Sequence, residues 1–187
     1  FIVVDAVRAP FEAACQTYLH EATLGDPTRD DTDVGPIARG DLRSALHHQV
    51  MDSIDRGAYC LLGGEIPAGE GFYYPPTLLT EVPPDSPAFK EELFGPVAAI
   101  ITAQDESEAI HIANDSPFGL GAAVFTKNND RGKAVARQLE AGCCAINDFV
   151  RSDPRLPFGG IKNSGYGREL SDVGICEFVN IKTITGV

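Results

Sequence analysis

The sequence predicts an α/β fold, a mostly parallel open sheet flanked by helices. Three observations predict it. Residues 97–102 are a continuous apolar run rich in strand formers, a helix-start signal follows at once, and two further apolar runs, 121–126 and 143–147, bracket a second helical stretch at 130–142. Strand, helix, strand, helix, strand at these lengths is the βαβαβ pattern, whose parallel strands are joined by right-handed crossovers.

Taken in order, residues 1–4 read as a short strand. Phe11, Ala14, Cys15, Tyr18, Leu19 and Ala22 then recur at helical spacing, with Pro10 as a favourable start and Gly25, Asp26 and Pro27 as a stop. A loop over 26–40 leads to a second amphipathic helix carrying Leu42, Ala45, Leu46, Gln49, Val50, Ser53 and Ile54, entered at Asp41 and ended by Gly57. Residues 72–79 are extended but interrupted by Pro75 and Pro76, which predicts an edge or connecting segment. Asp105 and Glu108 form a D-x-x-E capping box ahead of Ala109, Ile110, Ile112 and Ala113. The helix over 130–142 turns Ala134, Val135 and Leu139 inward, and residues 143–147 are a buried strand. A polar, Gly-rich loop spans 148–167, and a short helix and a last strand over 179–184 close the chain. Ligands of such sheets sit outside the carboxyl ends of the strands. The loop after 143–147 leaves such an end, whereas residues 91–96 enter a strand.

The 187 residues suit one domain, with 43% hydrophobic and 22% charged residues and no low-complexity tract. A net charge of -12 disfavours nucleic acid and anionic membranes as partners, since both are met by basic patches. No apolar run approaches the roughly 20 residues of a membrane span. The acidic stretch Asp26, Asp30, Asp31 and Asp33 with Arg29 lacks the spacing of a calcium loop and reads as a solvated loop. Five cysteines, an odd number with no C-x-x-C pair, point to reduced thiols and a cytoplasmic setting. The chain opens on Phe1, Ile2, Val3 and Val4 without an initiator Met, as a piece cut from a longer protein would.

Several motifs fall away on inspection. Gly119 and Gly121 lack the third glycine of a dinucleotide fingerprint, because Val124 stands there, and in Gly159–Gly165 the lysine precedes the final glycine. His47 and His48 are adjacent on a helix and point about 100° apart, so they predict surface or edge positions and no metal site. Cys143 and Cys144 lie in a strand that follows a helix, without the electropositive surroundings that activate a thiol, and read as core.

Glu91, Glu92, Leu93, Phe94, Gly95, Pro96 and Val97 resemble the E-E-x-F-G-P-V signature of the aldehyde dehydrogenase superfamily. Further landmarks follow in the family's order: Gly25, Asp26 and Pro27 with Gly35 and Pro36; Tyr74, Pro75, Pro76 and Thr77; Asn114 with Phe118, Gly119 and Leu120; and Pro157, Phe158, Gly159 and Gly160 leading to Gly167, Arg168 and Glu169. The resemblance covers nearly the whole chain and implies the family's catalytic-domain type of fold. The tract from Leu46 to Val50 and the loop after Asn147 are similar to bacterial succinate semialdehyde dehydrogenases.

The resemblance implies roles residue by residue. Glu92 matches the glutamate that holds the nicotinamide ribose of NAD or NADP, and two carboxylate oxygens can bridge neighbouring ribose hydroxyls. Phe94 matches a residue packed near the nicotinamide end. Ser152 matches a serine that binds the far carboxylate of the substrate, a task usually shared with arginines, for which Arg151 and Arg155 are the nearby candidates. Phe158 matches a wall of the substrate tunnel. No residue here matches the catalytic cysteine, whose thiolate attacks the aldehyde, or the glutamate that activates water for release of the acid.

The expectation is therefore a catalytic domain over 1–177, truncated on its N-terminal side, and an oligomerisation strand over 178–187. The parent enzyme would oxidise a small aldehyde, succinate semialdehyde, with NAD(P)+ as a cytoplasmic homo-oligomer, and this fragment alone would be inactive. A non-catalytic binding or assembly module derived from a dehydrogenase, and a dehydrogenase for another small aldehyde, stay open as alternatives.

Overall fold

A computed structural model describes residues 1–186, and Val187 lies outside the described residues. The chain forms two compact units, Phe1–Ala109 and Ile110–Val187.

In the first unit β1 (Ile2–Val4) runs directly into α1 (Asp5–Glu21). The helix thus begins before Pro10, the start read from the sequence, and Pro10 sits inside it. Parallel pairing of β1 with residues 101–103 ends at Val4, and Asp5 in the first turn complements the positive end of the helix dipole. The inward face is narrower than expected. Phe11, Cys15 and Leu19 pack on Val3, Leu78 and Ile100, whereas Ala14 is exposed and Tyr18 is 76% exposed.

Helix α2 (Gly40–Asp55) buries Leu46, Val50 and Ser53 along one face. Ser53 is fully buried because its hydroxyl is satisfied: it donates to Gln49 O at 2.7 Å and accepts from the Ala88 N–H at 2.9 Å. Ala88 belongs to the short helix α3 (Pro87–Lys90), so this hydroxyl ties the two helices together. His47 is half-buried at the edge of this face, its Nδ1 3.2 Å from the hydroxyl of buried Tyr74. Burial pushes the Tyr74 phenol up to about 12.

The other strands of this unit are β2 (Tyr59–Leu62), β3 (Thr77–Thr80) and β4 (Val97–Ala99), which form a three-stranded sheet, and β5 (Ile101–Ala103), which forms a two-stranded sheet with β1. Strand β3 lies between antiparallel β2 and parallel β4, while β5 pairs in parallel with β1. Strands β4 and β5 are the single apolar run read from the sequence, with neighbours on both sides. The Ile100 N–H donates to Leu79 O and the next N–H, of Ile101, to Phe1 O, each at 2.8 Å. The edge assignment of residues 72–79 is corrected, since β3 is central and all four of its residues are buried. Pro75 and Pro76 stand just outside the ladder, where no N–H is required, and the Thr77 N–H makes the next bond, to Pro96 O at 2.9 Å.

Asp105 Oδ1 accepts from the Glu108 N–H at 2.9 Å, and Glu108 accepts from the Gln104 N–H at 2.5 Å. This reciprocal cap opens α4 (Glu106–Asn114), which carries the chain into the second unit.

There, β7 (Gly121–Val124), α5 (Asn129–Ala136) and β8 (Cys143–Ile146) form a βαβ unit with parallel pairing from Gly121–Cys143 to Val124–Ile146. Helix α5 stops short of 142, and Ala134 is exposed rather than inward. The Asn114 side chain explains the early stop. Its amide donates to Gln138 O and accepts from the Glu140 N–H, both at 2.8 Å, and these replace helical partners. Strand β6 (Phe118–Gly119) pairs antiparallel with β9 (Ile161–Lys162), which lies inside the stretch read as a loop. A two-residue strand carries too little periodicity to be seen. Helix α6 (Ser171–Cys176) follows.

The last strand is also corrected. Within the expected 178–187 segment, residues 180–186 have no regular structure, and Ile181 and Ile184 are each 86% exposed. A β-branched run forms a strand only against a partner edge, and this segment pairs with none among the described residues.

One packing contact sets a limit on the E-E-x-F-G-P segment. A Cβ on Gly95 would stand 2.4 Å from Leu46 Cδ2, and Leu46 is 1% exposed, so it would have to shift within the core. Gly95→Ala should therefore cost about 1–3 kcal/mol. The measurement is the urea midpoint of the folded protein at constant slope, and an unchanged midpoint contradicts the packing argument.

Candidate functional site

The first group of candidate residues lies between α3 and β4. Gln49 of α2 reaches across to it, its Nε2 donating to Glu91 Oε2 at 2.8 Å and to the carbonyl of Glu92 at 3.3 Å. The Gly95 N–H donates to Leu93 O and the Val97 N–H to Gly95 O, each at 2.8 Å, which tightens the turn into β4. The backbone of Glu92 is thus clamped while its side chain is exposed. Among the described residues that carboxylate has no hydrogen-bond or ion-pair partner, and Phe94 beside it is 70% exposed. Both groups are available to a ligand, and a carboxylate with all its acceptor positions open suits a pair of hydroxyls. A nearby cleft of about 540 Å³ is lined by Phe1, Tyr18, Pro76, Gly95 and Pro96, not by Glu92 or Phe94.

The second group lies in the second unit. Asn147, at φ 53°, turns the chain out of β8, a backbone conformation that Asn tolerates better than most residues. Its side chain fixes the root of the loop, accepting from the Thr126 N–H at 2.8 Å and donating to Thr126 O at 2.9 Å. The far side of the loop is held by Phe158, whose N–H and carbonyl exchange hydrogen bonds with Glu169 at 2.9 and 2.8 Å. Gly142 makes the fit possible, because a Cβ there would come within 1.8 Å of Gly159 O. Between these anchors lies a cleft of about 570 Å³ that brings Ser152 and Phe158 together with Cys143, Cys144, Phe149 and Arg151.

The two candidate arginines differ. Arg155 is locked to Asp153 through two contacts, Nε at 2.9 Å and Nη2 at 2.6 Å, and does not line the cleft. Its guanidinium holds the Asp153 carboxyl below the ordinary range. Arg151 lines the cleft and touches Asp148 through one nitrogen, Nη2, at 3.0 Å.

The cysteines correct an expectation. Cys144 is exposed and Cys143 only half-buried, because β8 belongs to a two-stranded sheet and lies at the wall of the cleft. Desolvation around the sulfur still pushes the Cys144 thiol above its ordinary value, as it does for Cys15 and Cys60. An activated thiol is displaced the other way. No group of three or more His, Cys, Asp or Glu that could hold a metal occurs among the described residues, and none of their helices is long and apolar enough to cross a membrane.

Gln49 and Asn147 are the positioning residues that sequence reading missed. Gln49 gave no signal apart from its place on the helix face. An Asn directly after a strand was the available signal for the second.

Comparison with known proteins identifies the family. The Aldehyde dehydrogenase family pattern matches residues 1–184. The chain is 47% identical over 184 residues to the NAD(P)+ succinate semialdehyde dehydrogenase Sad of Escherichia coli K12, covering 98% of this chain and 40% of that protein. It is also 47% identical over 184 residues to a probable NADP(+) succinate-semialdehyde dehydrogenase of Synechocystis sp., with the same coverage. The succinic semialdehyde dehydrogenase of Streptococcus pyogenes, solved with NADP+ as the cofactor, superposes with a TM-score of 0.92 at 39% identity, covering 96% of this chain and 40% of that one. This chain therefore spans about 40% of the length of these relatives. With its sequence matched over residues 1–184 and its fold shared, the chain belongs to the aldehyde dehydrogenase family.

Proposed function

We propose that this chain is the part of an NAD(P)+-dependent aldehyde dehydrogenase that holds the nicotinamide ribose and the far end of the substrate, and that the substrate is succinate semialdehyde. One observation carries the reading: Glu92 presents an exposed, unpartnered carboxylate from a backbone clamped by Gln49. Relatives at 47% identity that bear the names of succinate semialdehyde dehydrogenases support the substrate class.

In this reading Glu92 accepts hydrogen bonds from the ribose hydroxyls, and Phe94 covers the neighbouring ring face and keeps water from it. The chemistry supplied by a bound nicotinamide cofactor is acceptance of hydride. Ser152 donates to the carboxylate of the substrate, and Phe158 forms an apolar wall on a fixed backbone. Residues 1–177 serve as catalytic domain and 178–187 as an association segment, whose exposed Ile181 and Ile184 meet another subunit of a homo-oligomer. Five free cysteines fit a reducing cytoplasm. The nucleophilic cysteine comes from outside these 187 residues, a placement supported by the three thiols here that burial pushes away from the thiolate.

Three measurements test the reading. Glu92→Gln in the full-length protein should raise the KM for NAD(P)+ by about tenfold or more, the worth of a hydrogen bond to a charged group; an unchanged cofactor KM and kcat removes Glu92 from the site. Ser152→Ala should weaken succinate semialdehyde by about 1–2 kcal/mol more than an uncharged aldehyde, and equal effects on both argue against the substrate. The 187 residues assayed alone should form no NAD(P)H, so turnover at the rate of the full-length protein would overturn the placement of the nucleophile.

A further inference from the structure

We infer that Gln49 decides which of the two adjacent glutamates meets the cofactor. It takes up the Glu91 carboxylate and the Glu92 carbonyl, and so leaves the Glu92 carboxylate as the one free to bind a ribose. The inference rests on the reading of Glu92 above and adds to it a positioning residue on a different element.

Gln49 occupies an unusual place for an amide. Leu46, Val50 and Ser53 are the buried residues of α2, and Gln49 lies among them on the helix and is itself half-buried. An apolar residue would pack there without any polar group to satisfy. The amide instead reaches the surface, where Nε2 donates to Glu91 Oε2 at 2.8 Å and to Glu92 O at 3.3 Å. A side-chain amide has two N–H groups, and both are used on consecutive residues of one segment. The root of the side chain is fixed as well. The Gln49 carbonyl accepts from the Ser53 hydroxyl, which accepts in turn from the Ala88 N–H. The turn that carries Gln49 is thereby bonded to α3, the helix that leads into Glu91.

Two neighbouring glutamates are chemically alike, and only their surroundings distinguish them. Glu91 has a donor on its carboxylate, and its N–H is bonded to Pro87 O at 2.8 Å. Among the described residues the Glu92 carboxylate has no partner, and only its carbonyl is held. Gln49 therefore does two things with one amide. It occupies Glu91 as a competing ligand, and it orders the Glu92 backbone before a cofactor arrives, so that less entropy is lost on binding. Without it, two like charges on adjacent residues would share a segment whose remaining hold on the core is the packing of Leu93.

The test is a calorimetric titration of the full-length enzyme with NAD(P)+, read as a dissociation constant so that no step of turnover enters. Gln49→Leu keeps the bulk of the side chain and removes both donors, and it should raise the constant about three- to tenfold with the urea midpoint not lowered. Gln49→Lys returns a donor of similar reach and should recover part of the loss. Glu91→Gln retains an acceptor oxygen for the amide and should change the constant by less than about twofold. Combining Gln49→Leu with Glu92→Gln should cost no more affinity than Glu92→Gln alone, because two residues that act through one group do not add. Unchanged affinity in Gln49→Leu, when Glu92→Gln weakens binding, overturns the inference alone. So do losses that multiply in the double variant, or a loss that comes with a lowered urea midpoint and is not relieved by Gln49→Lys. A Glu92→Gln variant that binds NAD(P)+ as tightly as the wild type overturns the proposed role of Glu92, and this inference with it.

Discussion

The first unit depends on one backbone run with partners on both sides. Residues 97–99 pair with β3 and residues 101–103 with β1, the Ile100 N–H donates to Leu79 O and the Ile101 N–H to Phe1 O, and the residue at the exchange, Ile100, is fully buried. A strand held this way cannot slip by one position without turning Ile100 out of the core and breaking both ladders. Everything immediately upstream inherits that fixity. Pro96 gives its carbonyl to Thr77, Gly95 packs against Leu46, and Gln49 grips the two glutamates. The position of Glu92 is thus a consequence of strand register, even though the residue itself lies outside the strand.

The sequence disclosed those features that have a long period or a fixed chemical signal. The 97–102 run, the Asp105 and Glu108 cap and the Leu46, Val50 and Ser53 face were visible because each repeats over a turn or more, or pairs residues at a set interval. What escaped was decided by partners distant in the chain. Pro75 and Pro76 looked like edge residues because local rules do not reveal that the ladder begins one residue later, at Thr77. The end of α5 was set by Asn114, whose amide is supplied from another element. Residues 179–184 have strand composition but pair with no edge among the described residues, and composition alone does not make a ladder.

The candidate residues were legible through resemblance, not through spacing. Ser152 and Phe158 are separated by five intervening residues of polar loop with no periodicity, yet they line one cleft because Asn147 anchors one end of the loop and the Phe158–Glu169 bridge anchors the other. The difference between Arg151 and Arg155 could not be read from sequence at all. Both stand two or three residues from an aspartate, and the choice turned on whether one nitrogen or two met the carboxylate.

A common arrangement links the two groups of residues. In each, the backbone is over-determined by hydrogen bonds while the chemically active side chain has few partners or none. Glu92 has none among the described residues and Arg151 has one, whereas their chain neighbours Glu91 and Asp148 are tied down by Gln49 and by the Phe149 N–H. An exposed ionised group contributes little to folding, so leaving it open costs little, and a fixed backbone lowers the ordering entropy that a ligand would otherwise have to overcome. Burying such a group in a strong internal ion pair would reverse this, since binding would first have to break the pair. That contrast is already present within one loop. The doubly bonded Arg155 supports the shape of the cleft from outside, and the singly bonded Arg151 is left able to change partners.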